Sequence, residues 1–153
     1  MKGTYIKGDM MKIKQLSIFL QNRMGSLSNP LEVLSENDVN IRAMCMADTS
    51  EFGILRLVVD DPDKGKKALE EHNFLVKITE IIGVEMYDGP GGLTSVLKII
   101  KDNEIDLEYL YAFTHNKENK AILLLHADDI DHLISVLKQN NVTIVSAEEV
   151  YNL

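Results

Sequence analysis

The chain carries the same architecture twice. Residues Leu20 to Leu27 (Leu-Gln-Asn-Arg-Met-Gly-Ser-Leu) close an apolar strand with a polar, glycine-bearing turn and then open a helical pattern. Tyr87 to Leu93 (Tyr-Asp-Gly-Pro-Gly-Gly-Leu) do so again. Asn22 and Asp88, Gly25 and Gly91, and Leu27 and Leu93 are each 66 positions apart. Further on the offset becomes 68, so that Ile54-Leu55 is answered by Ile122-Leu123, Asp60-Asp61 by Asp128-Asp129 and Leu69 by Leu137. The two extra residues fall around His115 to Lys120, in a hairpin, where insertions cost least. Such a repeat confines the chain to two copies of one supersecondary unit.

Within each copy the hydrophobic period names the elements. Leu16, Ile18 and Leu20 alternate with Gln15, Ser17 and Phe19, which predicts a strand from Lys12 to Leu20. Leu27, Leu31 and Leu34 follow at i, i+4 and i+7, the apolar stripe of a helix ending near Asn37. Val39 to Met46 and Phe52 to Val59 read as strands around an Asp48–Glu51 turn. Asp60-Asp61-Pro62-Asp63 starts a second helix that Asn73 stops, and Phe74 to Ile82 is a closing strand. The second copy repeats this order from a strand at Val84 to Tyr87, through Leu93, Leu97 and Ile100 on a helix, to a closing strand at Val142 to Val150.

Each copy is therefore a βαββαβ unit. The fold class is α+β, two tandem ferredoxin-like units with antiparallel sheets and the helices on one face. The expected divisions are 1–11, a leader or disordered arm without periodicity, then 12–82 and 83–153. Ile122 to Leu125 is apolar at every position, so both its faces require cover. Helices supply one side. The other half of the chain or a second chain must supply the other, and a homodimer is expected.

Composition removes several function classes. No stretch approaches the roughly 18 consecutive apolar residues of a membrane helix, and no charged start leads into an apolar run. One cysteine, Cys45, leaves no disulfide framework and no thiol set for zinc. A cytoplasmic location, with no membrane partner, is the expectation. A formal charge of −8 with only three arginines, Arg23, Arg42 and Arg56, argues against nucleic acid. No nucleophile–base pair, paired carboxylates or cofactor loop stands out, so neither an enzyme nor a cofactor is expected, and His126 and His132 lack the company of a metal site.

What remains is binding. A glycine turn between a strand and a helix exposes backbone N–H groups, and the positive end of the helix makes them attractive to an anion. The amides of Gly25, Ser26 and Leu27, or of Gly91, Gly92 and Leu93, can hold an α-carboxylate, while Asn22 or Asp88 can accept from an ammonium. Pro30 lies four residues from Ser26 and removes the first regular bond of a helix capped there. That moves the expected helix start to Ser28, leaves Gly25 to Leu27 as a separate turn and makes the two copies non-equivalent.

Two βαββαβ copies, each with Asn or Asp after the first strand and then Gly-x-Leu, resemble the ACT domain. The residues that carry the resemblance are Asn22-Arg23-Met24-Gly25-Ser26-Leu27 with Asn37-Asp38-Val39-Asn40-Ile41, and Asp88-Gly89-Pro90-Gly91-Gly92-Leu93 with Asn103-Glu104-Ile105-Asp106-Leu107. The resemblance spans Lys12 to Leu153 and is to the stand-alone type, two ACT domains without an attached enzyme. It implies a non-catalytic protein that binds a free amino acid at the interface of two domains and regulates amino-acid metabolism, in trans to a metabolic enzyme. It further implies two sites. One pairs the loop Asn22 to Leu27, Met24 included, with Glu108, Tyr109, Leu110 and Tyr111; the other pairs Asp88 to Leu93 with Ile41, Arg42, Ala43 and Met44.

Plainer roles stand beside these. Asn22 and Asp88 favour turns in any protein. Arg42 either faces a carboxylate or lies on an exposed strand. Tyr109 and Tyr111 share a face and either wall a pocket or pack an interface. A pocket of Ile41, Met44, Tyr109 and Leu110 would select a branched-chain or aromatic amino acid, or histidine. The alternative function is a regulatory subunit that acts on an enzyme without any ligand.

Overall fold

The computed structural model describes residues 9–115 and 118–153; residues 1–8 of the expected leader lie outside them. The chain divides into two compact units. One comprises Lys14–Thr79 with Tyr151–Leu153, the other the residues up to Ile13 with Glu80–Val150.

The first unit contains β1 (Ile13–Gln21), α1 (Ser28–Glu36), β2 (Ile41–Asp48), β3 (Phe52–Val59), α2 (Pro62–Glu71) and the first residues of β4 (Leu75–Tyr87). Its strands lie in the order β2-β3-β1-β4. The second unit takes the end of β4, then α3 (Gly92–Asp102), β5 (Leu107–Thr114), β6 (Lys120–Ala127), α4 (Ile130–Gln139), β7 (Ile144–Val145) and α5 (Ala147–Tyr151). Here β4 pairs β6, β6 pairs β5, and β7 pairs the other edge of β4. Counted within each copy, both sheets run fourth, first, third, second. Both copies are thus ferredoxin-like.

The cores repeat as faithfully. Leu16 faces Leu57 and Ile18 faces Leu55 across β1 and β3, and Val33, Leu34, Ala68 and Leu69 from the two helices close over them. In the second unit Ile82 faces Leu125 and Val84 faces Leu123 beneath Val96, Ile100, Leu133 and Leu137. Each fully buried aliphatic side chain contributes about 1.5–3 kcal/mol of transfer energy, so these pairings hold the register. Four helix ends turn through a non-glycine residue at positive φ, namely Asp38, Asn73, Glu104 and Asn141. The next residue's N–H returns to the last turn, as from Val39 to Leu34 and from Ile105 to Ile100.

Two expected element boundaries need correction. The closing strand of the first copy and the opening strand of the second are one strand, β4, so the expected division at 82/83 falls inside an element. The closing strand expected from Val142 to Val150 is only the two residues of β7, because Ser146 begins a helix: its Oγ accepts from the Glu149 N–H at 3.1 Å. Ser146-Ala147-Glu148-Glu149 is a capping signature that the apolar alternation concealed. Ile122 and Leu124 are buried within the single chain, as are Leu123 and Leu125, so both faces of the apolar run of β6 have the cover expected of them.

Among the described residues no helix is long and apolar enough to cross a membrane. The last residues fasten to the first unit through Tyr151. Its hydroxyl accepts from the Lys14 N–H at 2.7 Å, and its carbonyl accepts from Arg42 Nε at 3.0 Å. Burial pushes the Tyr151 hydroxyl above the usual 10.0, against the lowering effect of the Lys14 hydrogen bond. The unfolded chain then ionises first as pH rises, so this group's stabilisation is complete below pH 10 and fades above it. Tyr151→Phe should cost about 1 kcal/mol near pH 8 in urea unfolding, and the gap to the parent should narrow as pH is raised beyond 10.

Candidate functional site

Strand β4 ends at Tyr87, and the next residue is pinned, with the Asp88 N–H donating to the Asn119 carbonyl at 2.7 Å. The first copy does the same with Asn22 and Glu51, at 2.9 Å. The chain then turns through Gly91 at φ +89°, a left-handed conformation that suits glycine. At Gly92 the backbone comes so close to the preceding strand that a Cβ would overlap the Tyr87 carbonyl oxygen. Helix α3 begins there.

The start of that helix has no side-chain cap. Helices α2 and α4 do, since Asp61 accepts from the Lys64 N–H at 3.1 Å and Asp129 from the His132 N–H at 3.0 Å. Helix α1, which follows the first glycine turn, is uncapped like α3. Both first helices of the repeat thus begin without the carboxylate that both second helices carry.

Beside the start of α3 lies a cleft of about 760 Å³, within the ordinary range of roughly 300–1,000 Å³ for small-molecule sites. Its walls are Glu85 to Tyr87 from β4, Pro90 to Gly92 from the turn, Ser95, Val96 and Ile99 from α3, Glu118 to Lys120 from the hairpin, and Asn141 to Thr143 after α4. Lys120 Nζ lies 3.1 Å from Glu85 Oε2. The lining thus offers both charges, amide side chains and an aliphatic wall.

The first unit has a cleft in the equivalent place. It is lined by Phe19 to Gln21, Arg23, Ser26, Asn29 and Asn73 to Leu75. Phe19, Leu20 and Gln21 answer Glu85, Met86 and Tyr87, and Asn73, Phe74 and Leu75 answer Asn141, Val142 and Thr143. Its volume is only about 250 Å³. Ser26 occupies the position of Gly92 and carries the side chain that the tight contact excludes. The helix accordingly starts two positions later in the repeat frame, at Ser28, as Pro30 in its first turn predicts.

Of the residues singled out by sequence, Gly91 and Gly92 line the larger cleft and Ser26 the smaller, while Asp88, Leu93, Asn22, Met24, Gly25 and Leu27 line neither. The Asn22 side chain clamps its own hairpin, donating to Asp48 Oδ1 at 3.3 Å and to the Thr49 and Ser50 carbonyls at 3.4 Å. Met24 is fully exposed and Leu27 largely so. Ala43 is buried, Met44 is exposed, and Ile41 and Leu110 pack against the two cores.

Both second strands carry a register shift at the same repeat position, between Ile41 and Ala43 and between Leu107 and Tyr109. Such bulges re-aim side chains. Arg42 reaches Tyr151, and Glu108 pairs with His126 at 3.0 Å. His126 also stacks on Tyr109, with ring centroids 4.9 Å apart, and its Nδ1 faces the Glu80 carbonyl at 3.0 Å. Tyr111 is partly buried.

Sequence reasoning missed Ser95, Lys120, Asn141 and Val142. They come from three separate segments, and only repeat equivalence to the first cleft would have grouped them. Among the described residues no three His, Cys, Asp or Glu side chains are grouped to hold a metal ion.

The comparisons agree with the fold. A family model described as an ACT domain pair matches residues 11–153. Protein BT0572 from Bacteroides thetaiotaomicron, known from a crystal structure, is 40% identical with a TM-score of 0.87, over 94% of this chain and 98% of that one. The ligand-free regulatory subunit of aspartate kinase from Thermus thermophilus is similar in fold, at 11% identity and TM-score 0.57 over 86% and 93% of the two chains. The regulatory subunit of aspartate kinase from Thermus flavus is likewise similar in fold, at 12% identity and TM-score 0.58 over 84% and 92%. Among curated proteins no sequence matches.

The contact at Gly92 yields a direct test. Gly92→Ala should lower stability by about 1–3 kcal/mol in urea unfolding, since backbone rather than a flexible side chain must move. Ser26→Ala, its repeat equivalent, should stay within about 0.5 kcal/mol.

Proposed function

The chain belongs to the family of ACT domain pairs, and from that premise we propose that it is a non-catalytic regulatory protein whose effector is a free amino acid. The family supports a ligand-binding regulatory role. The observation that carries the finer reading is the uncapped start of α3 beside a cleft of about 760 Å³. The Gly92 N–H already donates to the Gly89 carbonyl at 3.1 Å, and the next two N–H groups of the turn, with no side-chain oxygen to cap them, suit a carboxylate. The aliphatic side chains of Met86, Val96, Ile99 and Val142 in the same cleft suit an apolar or aromatic side chain, with histidine also accommodated among the amides.

Binding would regulate by favouring one arrangement of the protein over another, which requires a difference in affinity between the two. The regulated partner is a metabolic enzyme acting in trans, in the cytoplasm, with the chain as a homodimer. A ligand-independent regulatory subunit is the second reading. Met44 and Met46 on edge strand β2, with Phe52 on β3, are exposed large hydrophobics suited to a protein contact.

A thermal-shift screen against the twenty amino acids tests the first reading. An effector present at about 100 times its Kd should add roughly 2.7 kcal/mol, and so raise Tm by several degrees. A screen in which no amino acid moves Tm would remove the amino-acid effector and leave the second reading.

A further inference from the structure

Resting on that reading, we infer that the chain takes one amino acid, not two, and that the site is the cleft of the second unit, with Val142 as the residue that keeps it open. The two clefts occupy the same place in their repeats, yet their volumes differ about threefold, 760 Å³ against 250 Å³. Only the larger falls within the usual range for a small-molecule pocket, roughly 300–1,000 Å³.

The substitutions between the copies explain the difference. Phe74 stands where the second copy has Val142; each packs against its own core and lines its own cleft, and the phenylalanine ring is the bulkier of the two. Along the helix, the second cleft extends over Val96 and Ile99, whereas the first stops at Asn29, before the corresponding Pro30 and Val33. These side chains also give the second cleft the aliphatic depth that a leucine, isoleucine or phenylalanine side chain needs.

Head-group chemistry is present in the same cleft. Glu85 and Lys120 lie on adjacent strands, with their charged atoms 3.1 Å apart, the lysine side chain 53% exposed and the glutamate side chain 23% exposed. With its lysine in water the pair is screened and gains modestly from itself. Its carboxylate can therefore turn to an α-ammonium, and its ammonium to an α-carboxylate, at small cost. The first cleft offers Arg23 without a carboxylate among its lining residues. A zwitterion is matched only in the second.

Equilibrium dialysis of the whole chain against L-leucine, L-isoleucine and L-phenylalanine, followed by the same measurement on variants, tests this. One ligand per chain is expected for at least one of the three. Val142→Phe should weaken binding at least tenfold, as should Lys120→Ala, whose exposed side chain can be removed without disturbing the core. Phe74→Val should leave affinity and stoichiometry unchanged. Circular dichroism and Tm of each variant confirm the fold, and Lys120→Ala decides the matter should Val142→Phe unfold. Two ligands per chain, or one whose affinity Lys120→Ala leaves unchanged, would overturn the single second-unit site while leaving the amino-acid effector in place. No uptake of any of the three would overturn this site, and a flat thermal-shift screen of the twenty amino acids beside it would overturn both.

Discussion

The absence of a side chain at Gly92 is what the candidate site depends on. There the main chain entering α3 lies against the carbonyl of Tyr87, in space that a Cβ would fill. Helix α3 begins at that contact, and its first turn is uncapped beside the cleft. In the first copy Ser26 holds the corresponding position, and the helix begins two positions later. Ser26, together with Pro30 in the first turn of α1, sets the first turn apart from the second.

Beneath this difference the two copies are built alike. The same pairs of aliphatic residues face each other across the first and third strands, and the same aspartate caps the second helix. The same bulge interrupts the second strand. Burial of these pairs stabilises the fold by amounts that no surface interaction matches. The repeat therefore constrains the cores strictly and the turns loosely. The copies diverge at partly buried positions on the margin of the cores, such as Phe74 and Val142, and at the bulge positions Arg42 and Glu108. Divergence at such positions is how one copy can keep a ligand site and the other can lose it.

Much of this was legible before any coordinates. The offsets of 66 and 68 gave the number of units, and the periods 2 and 3.6 gave the type of most elements. Pro30 gave the late start of α1. Three things stayed hidden, each for a physical reason. β4 runs on through Gly83, between the strands expected to end at Ile82 and to start at Val84, and Gly83 serves close packing there, since a Cβ would meet Ile13, Ile122 and Val145. Helix α5 lay within an apolar run that also suits a strand, and only the Ser146 cap distinguishes the two. The cleft is assembled from segments remote in sequence, so local pattern could group only Gly91 and Gly92. The clamp made by Asn22 shows the opposite case, in which a motif residue serves its own hairpin.

Hydrogen–deuterium exchange, followed residue by residue with and without the amino acid that most raises Tm, tests the central claim most directly. Added ligand should slow exchange of the amides from Gly91 to Ser95 and leave those from Gly25 to Asn29 unchanged. Slowed exchange confined to the strands around Arg42 and Glu108, with Gly91 to Ser95 unaffected, would contradict it.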